Sequence, residues 1–430
     1  MILAYLAMLW FGNPSNKLIV IGVTGTNGKS TTVRLISDVL ERTGHQVGAL
    51  STIEIKLPGQ TKLNNLKMTM PGRFYIQKFL KNLVNKGGRY AVIETSSQGI
   101  QQYRHLGINY DVAVFTNLTP EHIESHGSFA KYQKAKSKLF SHLTKRKKKK
   151  INGEIINKKI IVNFDDKQAN FFLQFPADQK ITYGLNSGAD IYAQKISLTP
   201  EQTEFYLADT FFSSKLIGKY NLYNLLATIA TTKALDIDTE VIKHAIFNPK
   251  QIPGRLEFIV NDKGFEVLID YAPEPESMRQ LYETLKLFDK KRIIHVLGSA
   301  GGGRDKSRRP ILGQIAIQNA DIIIITNEDP YDEDPQTIID QVAKGAKDYL
   351  KKLSAQETLK NSDHGPELPR IYKILDREQA IKKALALAEQ EDLILITGKG
   401  CEQAICITDG KKIPWDDRAV VKNLLKDTNK

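Results

Sequence analysis

The feature that most constrains the fold is the segment GVTGTNGKST at residues 22–31. The apolar run Lys17–Val23 leads into it and Thr31–Leu40 follows it with helical spacing, which predicts a strand, a loop and a helix. In such a unit, glycines let backbone amides converge on phosphate oxygens, Lys29 neutralises terminal phosphates and a hydroxyl can hold magnesium. Because the strict pattern has glycine where Val23 stands, we interpret the segment as a variant nucleoside triphosphate cradle, and a plain strand-to-helix turn is the alternative.

Short apolar runs alternate with helical segments along the rest of the chain. This pattern is typical of a mostly parallel sheet covered by helices on both faces. The strand-like runs are Tyr90–Ile93, Val112–Phe115, Ile160–Val162, Ile293–Leu297, Asp321–Thr326 and Leu393–Thr397, and two of the helical segments are Ile311–Asn319 and Gln379–Glu389. Two prolines and a glycine make Phe247–Gly254 the best candidate linker.

The length of 430 residues fits two or three domains. We predict an α/β protein with an apolar N-terminal helix at 1–16, an ATP-binding P-loop domain with a mostly parallel sheet at 17–250 and a Rossmann-like α/β domain at 251–430. Apolar and charged fractions of 41% and 25% argue against wholesale disorder and against a polytopic membrane protein. Two cysteines are too few for a disulfide framework, so we expect a cytoplasmic protein.

Two segments stand apart from this pattern. Met1–Phe11 is apolar but too short to span a bilayer and lacks a cleavage site, so we expect a helix docked on the body rather than a signal peptide or an anchor. The alternative is a helix that touches a membrane face or a lipid-bearing substrate. Lys145–Lys150 is an unbroken cationic run in a chain of net charge +13, and we interpret it as a solvated loop. An anionic membrane surface or nucleic acid are the alternatives, although no aromatic residues are interleaved.

A magnesium site needs further oxygen ligands beside the phosphate loop. Glu94 ends a strand-like run, and side chains at the carboxyl ends of parallel strands converge, so Glu94 is the first metal candidate. His122 and His126 are four residues apart and on a helix would share a face, which leaves zinc as a minor alternative. The alternative for His126 is a solvated histidine.

Ten blocks together resemble a known family, the Mur ligases. They occur in that family's order and span the chain from about residue 17 to the C-terminus. The blocks are GTNGKST, ETSS, TNLTPEHIESHGS, YQKAKSKLF, GKYNLYNLLA, PGRLE, DYAPEP, GGGRDKSRRP, EDPYDEDP and GKGCE. Within the family they most resemble the UDP-N-acetylmuramoyl-tripeptide synthetase branch, the MurE type.

The resemblance implies an ATP- and Mg²⁺-dependent ligase. In such enzymes a substrate carboxylate attacks the γ-phosphate of ATP, and an amino acid's amine then attacks the acyl phosphate to give an amide. The implied partners are a muramoyl-peptide acceptor and a free amino acid in peptidoglycan precursor synthesis, without nucleic acid. We expect a monomer, with peripheral membrane contact through Met1–Phe11 and Lys145–Lys150 left open.

The resemblance also assigns residues. The implied catalytic residues are Lys29, Glu94, His122 and Lys136. The implied metal ligands are Ser30 or Thr31, Glu94, His122 and a carbamylated Lys136. A carbamate presents anionic oxygens to a metal ion, whereas a bare ammonium would repel it. On its own, Lys136 reads as a solvated helix lysine. Further implied ATP contacts are Gly25, Thr26, Asn27, Gly28, Ser30, Thr31, Asn221, Asn224, Arg255, Asp270 and Arg304. The implied substrate contacts are Thr69, Ser96, Arg104, Asp329, Gly398 and Glu402.

Departures from the family affect the substrates more than the ATP chemistry. About 16 residues precede the predicted ATP-binding domain, where the family normally has a separate domain that grips UDP. Tyr331 stands where MurE types have the arginine that recognises diaminopimelate, and a phenol cannot form that bidentate ion pair, so lysine or another amino acid becomes an option. Two alternatives remain: a related ligase with a lipid-linked muropeptide, folate or polyamino acid acceptor, and a non-catalytic nucleotide-binding protein.

Overall fold

The computed structural model describes residues 1–121, 123–357 and 369–427. It divides into two compact units, the first comprising Met1–Pro120 and His126–Lys250, and the second Glu121–Ser125 and Gln251–Lys430. The last passage of the chain from the first unit to the second lies inside the segment Phe247–Gly254. Within the described ranges, no helix is both long enough and apolar enough to cross a membrane.

The first unit is built on a nine-stranded sheet in the order β11-β10-β9-β6-β1-β5-β2-β3-β4. Its strands pair in parallel except at β2–β3 and β3–β4. The strands are β1 Ile19–Thr24, β2 Val47–Leu50, β3 Glu54–Leu57, β4 Gln60–Leu63, β5 Tyr90–Glu94, β6 Val112–Phe115, β7 Lys149–Ile151, β8 Glu154–Ile156, β9 Lys159–Asn163, β10 Gln179–Gly184, β11 Ile191–Tyr192, β12 Gln194–Leu198, β13 Thr203–Leu207 and β14 Thr210–Ser214. Here β7–β8 is a separate hairpin and β12–β13–β14 a separate antiparallel sheet.

Helices cover both faces of this sheet. They are α1 Ile2–Trp10, α2 Lys29–Arg42, α3 Arg73–Asn85, α4 Ser97–Gln101, α6 Phe129–Lys145, α7 Ala169–Leu173, α8 Lys219–Ala234 and α9 Thr239–Phe247. The short helix α5 Ile123–His126 includes residues of both units. Along β1, Ile19 and Ile21 belong to the core shared with α2 and α8, whereas Val20 belongs to the core shared with α3 and α6. Because both faces of β1 are buried, the strand is apolar at successive positions, which is why a continuous run predicted it.

The second unit has a six-stranded sheet in the order β15-β16-β20-β17-β18-β19. Only β15 runs antiparallel to its neighbour in this sheet. The strands of this unit are β15 Glu257–Phe258, β16 Glu266–Ile269, β17 Ile293–Leu297, β18 Ile322–Ile325, β19 Arg370–Lys373, β20 Leu393–Ile396, β21 Ala404–Cys406 and β22 Lys412–Pro414. Here β21–β22 is a separate antiparallel hairpin. The helices are α10 Pro275–Leu285, α11 Arg308–Asn319, α12 Pro335–Glu357, α13 Arg377–Leu387 and α14 Asp417–Asp427.

The predicted α/β class, with mostly parallel sheets in both units, is confirmed. Each strand-like run in the sequence is a strand, with ends that move by one or two residues. The interpretation of Lys145–Lys150 as a solvated loop is wrong at Lys149, which lies in β7 and is buried. Its Nζ donates to the Leu18 carbonyl at 2.7 Å and to Asp111 Oδ2 at 2.5 Å, so a buried carboxylate compensates the buried charge.

Candidate active site

The phosphate loop joins β1 to α2, and two glycines in it cannot be replaced without strain. Gly28 precedes the first turn of α2 with φ of 80°, and a Cβ there would lie 2.2 Å from Asn224 Oδ1. At Gly25 a Cβ would lie 1.9 Å from Thr116 Oγ1. At these two positions the loop therefore passes so close to neighbouring side chains that only glycine fits.

Residues after β6 hold the loop from the side. The Asn27 amide donates to Asn117 Oδ1 at 2.8 Å, and Asn117 Nδ2 donates back to the Asn27 carbonyl at 3.1 Å. Thr116 Oγ1 donates to the same carbonyl at 2.7 Å. Thr26 Oγ1 accepts from the Thr119 amide at 3.1 Å. These bonds leave the loop shaped before any nucleotide binds, which lowers the ordering cost of binding.

A buried carboxylate lies at the start of α2. Glu94, 2% exposed at the end of β5, accepts from Ser30 Oγ at 2.7 Å, and Lys29 Nζ lies 4.0 Å from its Oε1. The Thr52 amide and hydroxyl donate to the same carboxylate at 2.7 and 3.0 Å, and Thr52 Oγ1 lies 2.8 Å from Thr69 Oγ1. The structure thus brings together the predicted residues Lys29, Ser30, Glu94 and Thr69. The adjacent Thr31 is buried in the first turn of α2.

These residues fit a magnesium ion held beside phosphate. Ser30 Oγ and the Glu94 carboxylate are hard oxygen donors 2.7 Å apart, and Mg²⁺ bound with phosphates needs only one or two protein carboxylates. Across the described ranges, no three His, Cys, Asp or Glu side chains come close enough to form a metal cage of their own. The predicted ligand His122 lies outside the described residues.

Lys136 lies in the interior under the phosphate loop, at 1% exposure on α6. Its Nζ donates to the Gly25 carbonyl at 2.6 Å and stands 4.5 Å from the centre of the Tyr132 ring. Tyr132 OH in turn lies 3.2 Å from Thr26 Oγ1. The reading of this residue, taken alone, as a solvated helix lysine is therefore wrong, because the α6 face that carries it packs on the loop.

His126 is also buried, so its reading as a solvated histidine is wrong. Its Nε2 lies 3.1 Å from Ser97 Oγ and its Nδ1 lies 2.8 Å from Gln101 Nε2. The ring is 6% exposed and rests 5.0 Å from the Tyr132 ring. Both ring nitrogens thus have partners on α4, which connects α4 to the loop before α6.

The remaining predicted residues of the first unit surround this core in two groups. Asn224 Nδ2 donates to Asn221 Oδ1 at 3.1 Å, and both are buried on α8 behind Gly28. Ser96 caps α4 through its Oγ, which accepts from the Gly99 amide at 3.2 Å. Arg104 donates to the Met70 carbonyl, which places its guanidinium beside the segment that carries Thr69.

In the second unit, the Asp270 carboxylate accepts hydrogen bonds from two backbone amides. Its Oδ2 accepts from the Leu256 amide at 2.8 Å and its Oδ1 from the Ala272 amide at 2.9 Å. Burial raises the pKa of this carboxyl, while the charge of Arg255 opposes that rise. The Arg255 guanidinium stacks over the Tyr271 ring at 4.5 Å. Asp270 therefore fixes the backbone beside Arg255.

A buried lysine that the sequence analysis did not single out joins two predicted residues. Lys399 Nζ, fully buried, donates to Asp329 Oδ1 at 2.8 Å and to Glu402 Oε2 at 2.9 Å. The neighbouring Gly398 has φ of 102°, and a Cβ there would lie 2.4 Å from Glu328 Oε2. Burial raises the pKa of Glu328 to about 7, so this carboxyl titrates near neutrality.

Arg304 completes the predicted set. Burial disfavours its charge, but Tyr271 and Glu274 nearby raise its pKa on balance, so the guanidinium stays charged. Tyr331 has φ of 53°, its amide donates to the Cys406 carbonyl at 3.1 Å, and its ring packs on Gly302.

Thr52, Glu328 and Lys399 are the site residues that sequence reasoning missed. Glu328 and Lys399 lie inside the quoted blocks EDPYDEDP and GKGCE, so a charged residue next to each assigned one was the available signal. Thr52 lies in no block, and its role depends on the pairing of β2 with β5.

Comparisons with known proteins match both units to one family. Residues 23–232 match the Mur ligase middle domain, and residues 254–400 match the domain described as Mur ligase, glutamate ligase domain. The UDP-N-acetylmuramoyl-L-alanyl-D-glutamate–2,6-diaminopimelate ligase of Geobacillus kaustophilus is 34% identical over 429 residues, covering 99% of this chain and 82% of that protein.

Solved structures show the same fold. A UDP-N-acetylmuramoyl-L-alanyl-D-glutamate–2,6-diaminopimelate ligase aligns with a TM-score of 0.60 at 27% identity, covering 96% of this chain and 79% of the other. MurF from Acinetobacter baumannii aligns with a TM-score of 0.69 at 19% identity, covering 98% and 79%.

Proposed function

Because the chain belongs to the Mur ligase family, whose members are ATP-dependent ligases, we propose that it joins a free amino acid to the carboxylate of a muramoyl dipeptide. The product is an amide in a peptidoglycan precursor. The observation that carries the proposal is the arrangement of Lys29, Ser30 and Glu94 around the phosphate loop, with Lys136 buried against the Gly25 carbonyl. We also infer a cytoplasmic location, because ATP is a substrate and both cysteines are free thiols.

The reaction takes two displacements. A carboxylate oxygen of the acceptor bonds to the γ-phosphorus of ATP as the bond to ADP breaks, which gives an acyl phosphate. The amine of the amino acid then bonds to the acyl carbon, the intermediate expels phosphate, and the nitrogen loses a proton. Both reactants of the first step are anions, so positive charge at the phosphates and in-line positioning supply most of the acceleration.

Residues of the first unit are suited to that first step. Loop amides at the start of α2 and the Lys29 ammonium would hold the β- and γ-phosphates. Ser30 and Glu94 would hold Mg²⁺, with His122 as the ligand of a second ion. When bound, the metal neutralises charge that develops on the phosphate oxygens. Thr52 orients Glu94 through two hydrogen bonds, which keeps both carboxylate oxygens at the loop.

We propose that Lys136 acts as a carbamate. Its neutral amine would bond to carbon dioxide and release a proton, which replaces a cation by an anionic metal ligand. Burial under the loop supports this, because a bare ammonium is costly at such a site. Labelling with ¹³C carbon dioxide should give a carbamate carbon signal that Lys136→Ala lacks. Lys136→Ala should also lose ligation at least about a hundredfold, while the exposed Lys134→Ala on the same helix should not. Unchanged product formation by Lys136→Ala would contradict the carbamate.

Substrate residues divide between the units. Thr69, Ser96 and Arg104 of the first unit would bind the acceptor, because Thr69 contacts Thr52 beside Glu94, Ser96 caps α4 and Arg104 donates to the Met70 carbonyl. Asp329, Gly398 and Glu402 of the second unit would bind the amino acid. Asn221 and Asn224 would shape the nucleotide site from behind Gly28. Arg255, Asp270 and Arg304 would approach the nucleotide from the second unit.

The deciding experiment measures phosphate release from ATP with UDP-muramoyl dipeptide and single amino acids, with products identified by mass. We expect release that needs both the acceptor and one amino acid. The panel includes both lysine and diaminopimelate, which differ by the distal carboxylate of diaminopimelate. Tyr331 offers no ion pair to that carboxylate, so the comparison tests whether the site prefers lysine. Lys29→Ala should abolish release, and the exposed Lys382→Ala is its matched control. Release that requires a different acceptor would overturn the dipeptide, and ATP binding without release under every condition would overturn the ligase activity.

A further inference from the structure

The N-terminal helix α1 is docked by one face and exposes a second, apolar face. Ala4 and Ala7 are buried, and the helix packs so closely that a Cβ on Gly107 would lie 2.8 Å from the Ala4 carbonyl. The opposite face carries large apolar side chains at helical spacing. Their exposed fractions are Ile2 76%, Leu3 55%, Leu6 50%, Leu9 67% and Trp10 81%.

The cationic run Lys145–Lys150 lies beside this helix in the same unit. The Arg146 guanidinium stands 5.7 Å from the centre of the Tyr5 ring on α1. A cleft of about 360 Å³ opens between the two segments. Its lining includes Met8 of α1 and the cationic residues Lys145, Arg146 and Lys147.

The cleft holds a cationic group that an anion would satisfy. Arg146 Nη2 is buried and has no hydrogen-bond acceptor among the described residues. Lys145 and Lys147 beside it are exposed, whereas Lys148 pairs with Asp178 at 2.5 Å and Lys149 is committed to Asp111. A buried guanidinium N–H without an acceptor is costly, so the cleft is built for a ligand with anionic oxygens.

We propose that this surface docks on an anionic phospholipid bilayer. The docking face consists of Ile2, Leu3, Leu6, Leu9 and Trp10 together with Lys145, Arg146 and Lys147. The apolar side chains enter the boundary between headgroups and acyl chains, and a headgroup phosphate occupies the cleft at Arg146. A lipid bilayer offers apolar and anionic groups side by side, which matches this face. A second copy of the chain would set the same cations against each other, and nucleic acid has no apolar layer for α1.

The test is sedimentation of the whole chain with vesicles at low salt. Vesicles of phosphatidylcholine with about a third phosphatidylglycerol should bind the protein, and pure phosphatidylcholine vesicles should bind it far more weakly. Leu6→Glu with Leu9→Glu should lower binding at least about tenfold. Lys145→Glu with Lys147→Glu should lower it at least about twentyfold, since each basic residue near the surface contributes about a fivefold factor. Raised salt should weaken binding of the wild-type chain.

Matched variants keep the outcome clear. Val260→Glu, at a residue 96% exposed, controls for the apolar changes, and Lys382→Glu with Lys422→Glu, at exposed lysines of the second unit, controls for charge. All variants should keep wild-type ligase activity on a water-soluble acceptor, which shows that they fold. Equal binding to both vesicle types, or binding unaffected by either double variant, overturns the proposal. Two further results would overturn the proposal. One is self-association of a chain that does not bind vesicles, if Leu6→Glu with Leu9→Glu abolishes that self-association. The other is binding of inorganic phosphate without binding of vesicles.

Discussion

Replacing Lys399 by methionine tests how the second unit holds its charged residues. The substitution keeps the length of the side chain but removes the cation that joins Asp329 Oδ1 at 2.8 Å and Glu402 Oε2 at 2.9 Å. Lys399 is fully buried and Asp329 is 6% exposed, so solvent cannot replace the lost partner. Breaking a buried ion pair from one side costs about 3–5 kcal/mol, and we expect that loss in the free energy of unfolding of the second unit.

The chain provides its own probe for this measurement. Trp415 lies in the second unit, where its amide donates to the Gln403 carbonyl at 3.1 Å, and Trp10 is 81% exposed on α1. Urea unfolding followed by Trp415 fluorescence in a Trp10→Phe background therefore reports the second unit. Lys412→Met is the matched control, because Lys412 is exposed and its loss should change stability by less than about 0.5 kcal/mol.

The size of the deficit checks the reasoning. A loss of unfolding free energy under about 1 kcal/mol in Lys399→Met, relative to wild type, would refute the ion-pair account.

Three further predictions concern other positions. Gly28→Ala should weaken ADP binding about tenfold or more, measured by calorimetry, because the φ of 80° and the 2.2 Å approach to Asn224 Oδ1 both oppose a Cβ. Adding Asn224→Ala should recover part of the lost affinity. An affinity that does not recover would contradict the clash. Burial lowers the pKa of His295 to about 3, so the unfolded chain takes up a proton at this residue before the folded chain does as pH falls. About 2 kcal/mol of the free energy of unfolding should therefore be lost between pH about 6.5 and about 5. His295→Gln should reduce this acid sensitivity in urea titrations. Gly313→Ala should lower the Trp415-detected unfolding midpoint, because its Cβ would lie 1.9 Å from the Val342 carbonyl on α12, and an unchanged midpoint would show that the helices can move apart at little cost.

Much of the fold follows from local sequence. Buried strands such as Val112–Phe115 and Ile322–Ile325 show as continuous apolar runs, because each is covered on both faces. The phosphate loop is equally local: glycine, lysine and hydroxyl residues within ten positions define its geometry. Periodicity did not predict the β12–β13–β14 sheet, in which Ser197 pairs with Glu204 and exposed positions interrupt the apolar pattern.

The site also has features that short sequence patterns determine and features that depend on tertiary contacts. By itself, the sequence determined the strand–loop–helix unit, the α/β class and the family, because each depends on short patterns or on the order of blocks. The position of Lys136 under Gly25, the burial of His126 and the position of Arg146 beside α1 are determined only by the tertiary structure. It also brought Ser30 to Glu94, because β1 pairs with both β5 and β6 rather than with β2. Strand order and helix docking join residues that lie far apart in the chain, and local periodicity carries no record of which distant partner a buried face will meet.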